Sequence, residues 1–216
     1  MSVAISGASG SGKSSVLKKL SNLGFPVVER KTSRSILTDW NVTLEEVNTS
    51  TELCIKFQFE MLERKFKDDL ATHEKWVKEN GPNVIVFTER TFADLFAYMV
   101  CVLGSRSSCS DFIDTYHKKC MAYQYIYDRI ALIRNGMFAP VVDSVRPTNE
   151  HFEKLMGLYL PEVTREMSTQ PIIDVSARSI DSRTNIILLN AYANLPNKRD
   201  KTTIINQMNH INGDAQ

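Results

Sequence analysis

Short apolar runs bounded by turn residues alternate along the chain with longer segments whose apolar side chains recur every three or four positions. Runs of the first kind predict buried strands, and the longer period predicts helices packed against them. The predicted strands are residues 3–6, 26–29, 83–87, 127–133 and 172–175. The predicted helices are residues 12–22, 51–78, 109–123 and 181–193, with two more beginning near residues 93 and 148. Residues 38–51 show no clear period and predict an irregular connection.

This alternation predicts an α/β domain with a mostly parallel, five-stranded sheet and helices on both of its faces. The length of 216 residues suits one such domain, which we expect to span residues 1–195. Residues 134–147 have little periodicity and contain Arg134 and Arg146, so we expect a small arginine-bearing lid there. Residues 196–216 are polar and rich in Asn and Lys, which predicts a mobile tail.

The segment between the first predicted strand and helix, residues 7–14, has the pattern G-x-x-x-x-G-K-[ST] of a phosphate-binding loop. The backbone N–H groups of such a loop point at the phosphates, and the helix N-terminus adds a partial positive charge. We expect Lys13 to reach the β- and γ-phosphates of ATP and the Ser14 hydroxyl to ligate Mg²⁺. The residues predicted to contact the nucleotide are Gly7, Ser9, Gly10, Ser11, Gly12, Lys13, Ser14 and Ser15, with Arg134 from the lid.

Charged residues follow two of the other predicted strands, at the edge where parallel sheets bind ligands. Glu29 begins a polar cluster over residues 29–34 that is a candidate for holding a phosphate acceptor, or else a solvated turn. Glu89 follows the strongest strand signal and is the candidate for a second Mg²⁺ contact. Arg90 beside it could bind a phosphate. The alternative is that Glu89 and Arg90 form an ordinary surface ion pair at a strand end, with no role in binding.

Composition limits the kinds of binding partner and the cellular compartment that we expect for this protein. The net charge of +1 provides no global basic surface for nucleic acid. The four cysteines lack C-x-x-C spacing and are expected to be buried, reduced thiols, which favours a cytoplasmic protein. The first predicted strand starts at the N-terminus, so we expect no signal peptide. No apolar run approaches the length of a membrane span, so we expect no membrane association.

The motifs together resemble those of the P-loop kinases, and more closely the NadR-type, AAA-like group that includes nicotinamide riboside kinases and many viral nucleotide kinases. The matching segments are the loop at 7–14, Val27-Val28-Glu29 with Thr32 and Arg34 after it, the run 89–98, and Tyr127-Asp128 with the lid-like segment 143–148. The resemblance covers roughly residues 1–190. Glu89 stands where this group often has Asp, which is closer to the Glu-Arg-Ser run of deoxynucleoside kinases. The resemblance implies the three-layer sandwich of P-loop NTPases.

A kinase of this kind implies a role for each candidate residue. Lys13 and the loop amides neutralise the β/γ-phosphates, and Ser14 and Glu89 organise Mg²⁺. Arg90, with Arg134 or Arg146, stabilises the transferring phosphoryl group, and Glu29 orients or deprotonates an acceptor hydroxyl. The expected acceptor is a nucleoside or nucleotide, and the expected assembly is a monomer or a homodimer. Two alternatives stay open: a kinase acting on a hydroxyl carried by DNA, which the net charge disfavours, and a regulatory NTPase.

Overall fold

The computed structural model describes residues 1–28, 32–134, 150–177 and 179–193. Within that part of the chain, five strands form one sheet in the order β2-β3-β1-β4-β5, and every neighbouring pair is parallel. The strands are β1 (Ser2–Ser6), β2 (Val27–Val28), β3 (Val86–Glu89), β4 (Arg129–Ile133) and β5 (Ile172–Val175). Because all four pairings are parallel, every strand ends at the same edge of the sheet. The predicted α/β fold with a parallel five-stranded sheet is confirmed.

Eight α-helices connect the strands in the described residues, together with a short 3₁₀ turn at Ser107–Cys109. They are α1 (Lys13–Asn22), α2 (Thr32–Trp40), α3 (Leu44–Thr49), α4 (Thr51–Asn80), α5 (Phe92–Leu103), α6 (Ser110–Gln124), α7 (Glu150–Met167) and α8 (Ile180–Tyr192). The alternation of side chains along β1 separates two cores. Val3 and Ile5 face the core built with α1 and α8, and Ala4 faces the core built with α2 to α7. Helices therefore cover both faces of the sheet.

Residues 38–51 are helical for most of their length, so the predicted irregular connection is wrong. A capping box begins α3, in which the Thr43 hydroxyl accepts from the Glu46 N–H while the Glu46 carboxylate accepts from the Thr43 N–H. Burial of Ile36 and Val47 holds α2 and α3 on the larger core. The two helices are too short for a periodic pattern to stand out in the sequence.

The third strand begins and ends later than predicted, at Val86–Glu89 rather than at residues 83–87. Its limits follow from pairing with β1, in which Ser2 lies opposite Val86 and Ile5 opposite Glu89. The apolar residue Ile85 is buried before the strand begins. The sheet therefore includes Glu89, which the sequence pattern placed just beyond it.

The four cysteines all lie in described residues and are free thiols. Cys54, Cys109 and Cys120 are buried, as expected from the sequence, and Cys101 is partly exposed. Burial raises the pKa of the Cys54 and Cys120 thiols, so both are held in the protonated form at neutral pH. None of the described helices has both the length and the apolar composition that a membrane crossing requires.

Several predicted features fall outside the described residues. These are Glu29, Arg146, the whole predicted lid except Arg134, and the predicted tail. Each of them stays a prediction.

Truncation of a fully buried side chain in the smaller core tests this packing. Leu20 of α1 has no exposed surface, whereas Leu189 of α8 is 54% exposed. We expect Leu20→Ala to lower the free energy of unfolding by about 2–5 kcal/mol, since it leaves a cavity between α1 and the sheet. The same change at Leu189 should cost less than about 0.5 kcal/mol in urea denaturation. Equal losses from the two variants would contradict the assigned core.

Candidate active site

The loop between β1 and α1 depends on glycine at three positions. Gly7, Gly10 and Gly12 have positive φ angles of 150°, 73° and 89°, which side chains other than glycine's disfavour. At Gly7 the space is closed as well, because an added Cβ would lie 2.7 Å from the carbonyl oxygen of Ile133 and 2.8 Å from the Ser11 Oγ. The loop therefore packs directly against the end of β4.

The N-terminus of α1 faces the inside of this loop. Gly12 occupies the N-cap position and no side chain caps the helix there. The first turn of α1 contains no acidic residue. The first N–H groups of an α-helix have no partner within the helix, and the helix dipole adds positive potential at that end. This end of α1 is therefore suited to an anion.

The Lys13 side chain lies inside the loop and is buried, with 4% exposure. Its ammonium donates to the Ala8 carbonyl at 2.7 Å and lies 3.5 Å from the Ser11 Oγ. A cation held at this place adds a full charge to the partial charge of the helix end. Lys13 thus lies within the loop, and its contact with a phosphate stays a prediction.

Two oxygen-bearing side chains meet at the open side of the loop. The Ser14 Oγ donates to the Glu89 Oε1 at 3.2 Å, which brings the start of α1 together with the end of β3. Ser14 is exposed and Glu89 is half-buried, so both oxygens can be reached from solvent. A hydroxyl and a carboxylate are ligands that Mg²⁺ accepts while it keeps water and phosphate in its other positions. The pair therefore fits the predicted magnesium site.

Arg90 follows Glu89, and here the backbone leaves the extended conformation in which side chains alternate between the two faces of the sheet. Its φ angle is +66°, and its N–H donates to the Ile5 carbonyl at 2.8 Å. The guanidinium lies 4.7 Å from the centre of the Tyr98 ring, and its Nη1 is 3.8 Å from the Asp94 Oδ1. Because the backbone turns here, successive side chains of β3 need not point to opposite faces.

The Arg90 Nη1 is buried and makes no hydrogen bond within the described residues. Burial alone would lower the pKa of Arg90, but the neighbouring Tyr98, Asp94 and Glu89 together raise it, so the group stays a cation. A buried N–H that makes no hydrogen bond is costly even beside a carboxylate, unless a ligand supplies an acceptor. A phosphate oxygen is such an acceptor.

Two residues of α5 that the sequence interpretation did not assign to the site support the loop. Asp94 is fully buried, and its Oδ1 accepts from the Gly7 N–H at 3.3 Å. Its Oδ2 accepts from both the N–H and the hydroxyl of Thr91, which caps α5. One helical turn later, the Tyr98 hydroxyl accepts from the Ser9 N–H at 3.2 Å. In the sequence, the four-residue spacing of Asp94 and Tyr98 within residues 89–98 places them on one side of a helix, and this spacing could have identified them.

A third supporting residue, Arg183, comes from the far end of the described chain. It lies on α8 and is 1% exposed. Its guanidinium donates to the carbonyl of Ser11 in the loop and, at 2.7 Å, to the carbonyl of Ala177 after β5. Burial lowers the pKa of Arg183, although an arginine remains charged in proteins. No motif in the sequence pointed to this residue.

Two other residues that the sequence predicts to contact the nucleotide, Arg134 and Ser15, lie less close to the centre of the loop. Arg134 lies at the end of β4 with its side chain 59% exposed, and its Nη2 is 3.7 Å from the Asp174 Oδ1. Ser15 is exposed on the first turn of α1. The structure thus brings Lys13, Ser14, Glu89 and Arg90 around one loop, and holds Arg134 at the side of that loop nearest β5.

Gly7→Ala tests the close approach of the loop to β4. We expect the variant to bind Mg²⁺–ATP about tenfold more weakly or worse, because the added methyl group displaces the loop. Gly24→Ala is the matched control, since Gly24 also has a positive φ of 85° but has open space around it. The control should lose roughly 1 kcal/mol of stability and keep its nucleotide affinity by isothermal titration calorimetry. Parental affinity in Gly7→Ala would show that the loop does not require this contact.

Arg183→Met tests the support from α8. We expect nucleotide affinity to fall by about tenfold, because the Ser11 carbonyl loses a charge-assisted hydrogen bond. Arg64→Met serves as the control, because the Arg64 side chain is 31% exposed and pairs with Asp39 and Glu60 at the surface. Titration calorimetry should find no change in the control. A similar small effect in both variants would mean that Arg183 only fills space.

Comparison with known proteins identifies the family of the chain. The profile of one protein family, described as an AAA domain, matches residues 2–183. No curated protein matches the chain by sequence.

Solved structures match over most of the chain. Deoxyadenosine kinase from M. mycoides with bound dATP aligns with a TM-score of 0.63 and 16% identity, covering 89% of this chain and 100% of the other. The same enzyme with bound dCTP gives 0.62 and 15%, with the same coverage. The NadR protein in complex with NR gives 0.61 and 14%, covering 91% of this chain and 51% of NadR. At these identities the likeness establishes a shared fold. The chain belongs to the AAA-domain family, and its fold is the one found in P-loop nucleoside kinases.

Proposed function

We propose that the protein is a kinase that uses ATP and Mg²⁺ to phosphorylate a hydroxyl or phosphate of a nucleoside or nucleotide. The observation that supports this most is the contact between the Ser14 hydroxyl and the Glu89 carboxylate beside the glycine loop. This contact places two oxygen atoms that can ligate Mg²⁺ beside the end of α1 that is suited to an anion. The names of the similar structures, deoxyadenosine kinase and NadR with NR, favour the same class of acceptor.

Each residue around the loop has a role in this proposal. The loop amides and Lys13 bind the β- and γ-phosphates, and Arg90 offers its buried donor to the phosphoryl group in transfer. Mg²⁺ held by Ser14 and Glu89 would neutralise charge on the phosphates. Glu29 is proposed to orient or deprotonate the acceptor hydroxyl, and Arg146, with Arg134, to close over the triphosphate. Asp94, Tyr98 and Arg183 hold the loop in shape.

We also propose a cytoplasmic location and a monomeric or homodimeric assembly. The location is supported by the four free thiols, which are typical of a reducing compartment. Light scattering would determine the assembly.

A parallel assay of acceptors tests the activity. Purified protein, Mg²⁺ and ATP labelled at the γ-phosphate are offered nucleosides, nucleoside monophosphates, nicotinamide riboside and DNA containing hydroxymethylated bases. We expect label on one of the first three and none with Lys13→Ala, which should remain folded because its side chain faces the loop and not a core. Label on the DNA alone would favour the DNA kinase. ATP hydrolysis without any labelled acceptor would favour a regulatory NTPase.

Glu89 and Arg90 can be told apart by titration with Mg²⁺. Glu89→Gln keeps the size of the side chain but loses its charge, so its activity should need about tenfold more Mg²⁺ and recover when Mg²⁺ is raised. Arg90→Lys keeps the charge but loses the planar donor array, so its turnover should fall by about 10²-fold, and added Mg²⁺ should not restore it. An identical response of the two variants would mean that the pair is only a structural feature of the strand end.

A further inference from the structure

A buried ion pair on α4 lies against the end of β3. Lys65 and Asp69 face each other one turn apart on α4, with 3.0 Å between the Lys65 Nζ and the Asp69 Oδ2. Each side chain is only 3% exposed. Burying two charges is costly even when they are paired, and it is tolerated where further hydrogen bonds satisfy both groups. The surroundings of this pair should therefore explain its presence.

Hydroxyl groups from two other parts of the fold satisfy the carboxylate. The Thr88 hydroxyl on β3 donates to the Asp69 Oδ1 at 3.0 Å, and the Tyr127 hydroxyl, just before β4, donates to its Oδ2 at 2.6 Å. The ammonium of Lys65 lies 5.2 Å from the centre of the Phe92 ring and 5.5 Å from that of Tyr127. The pair therefore fastens α4 to β3, to the start of α5 and to the chain entering β4.

The ammonium also reaches the site itself. The Lys65 Nζ donates to the backbone carbonyl of Glu89 at 3.2 Å. This carbonyl belongs to the peptide that joins Glu89 to Arg90, and Arg90 has the positive φ of 66°. Residues other than glycine rarely adopt this conformation, and they keep it only where the surrounding structure holds it. A charged donor on the preceding carbonyl is such a restraint.

We propose that Lys65 is a positioning residue for phosphoryl transfer, which rests on the proposed kinase function. Through the Glu89 carbonyl it fixes the turn that directs the Glu89 carboxylate to Ser14 and the Arg90 guanidinium to the phosphate loop. Asp69 supplies the negative charge that allows an ammonium to remain in this buried place. Thr88 and Tyr127 hold Asp69.

The test removes the charge without leaving a buried ion unpaired. Lys65→Met alone would strand the Asp69 carboxylate, so the variant used is the double change Lys65→Met with Asp69→Asn. The asparagine oxygen can accept from one of the two hydroxyls of Thr88 and Tyr127, and the asparagine NH₂ group can donate to the oxygen of the other. The control is Glu63→Gln with Lys119→Met. It removes an ion pair between α4 and α6, with 2.6 Å between the Glu63 Oε1 and the Lys119 Nζ, that does not involve β3.

The main readout is the affinity for Mn²⁺ in the presence of ADP, measured by electron paramagnetic resonance and independent of any acceptor. We expect the double variant to bind Mn²⁺ about tenfold more weakly, the range seen when partners of metal ligands are removed. Its affinity for ADP in EDTA should stay within about twofold of the parent, since the loop and Lys13 bind this nucleotide, while Glu89 acts through the metal and Arg90 on the phosphoryl group that ADP lacks. The control should match the parent in both measurements.

Two results would overturn the inference. One is parental affinity for Mn²⁺–ADP in the folded double variant. The other is an equal loss of Mn²⁺–ADP and metal-free ADP binding, which would indicate general loosening of the domain. If the double variant does not fold, Tyr127→Phe takes its place. This variant loses one hydrogen bond to Asp69, so its Mn²⁺ dissociation constant should rise by about threefold. An unchanged constant would overturn the proposal. A parent protein that binds Mn²⁺–ADP but phosphorylates no acceptor would instead defeat the proposed function.

Discussion

The register between β1 and β3 is the constraint on which the candidate site depends. Ile5 pairs with Glu89, and the Ile5 carbonyl accepts from the Arg90 N–H. Since β1 runs directly into the glycine loop, this pairing delivers the end of β3 beside Ser14 rather than elsewhere along the edge. A shift of one residue would turn Glu89 to the other face of the sheet. Burial of alternate residues of β1 in two separate cores makes such a shift costly.

A loop rich in glycine has few side chains with which to hold its own shape, so its shape is set by contacts from outside. Asp94 and Tyr98 bind two of its amides from α5, and Arg183 binds one of its carbonyls from α8. These anchors come from the two layers of helices on opposite faces of the sheet. The loop is therefore held between both layers, and the fold itself fixes the position of the helix end that is suited to an anion.

The sequence pattern predicted the sheet and the residues of the loop because both are encoded locally, by continuous apolar runs and by a short motif. It failed where structure depends on contacts between distant parts of the chain. The short helices α2 and α3 are held by burial of a few side chains, and the late start of β3 is set by its partner strand. Arg183 and Lys65 are ordinary charged residues of amphipathic helices in sequence. Only folding shows that each one is buried against a backbone carbonyl of the site.

The bond between Arg183 and Ser11 joins positions 172 residues apart. During synthesis the glycine motif leaves the ribosome before its partner on α8, which emerges after all five strands. A nascent chain stopped before α8 contains the complete motif but lacks this clamp, as does any fragment that ends there. The loop therefore gains its full set of contacts only after α8 has been synthesised and has folded onto the sheet.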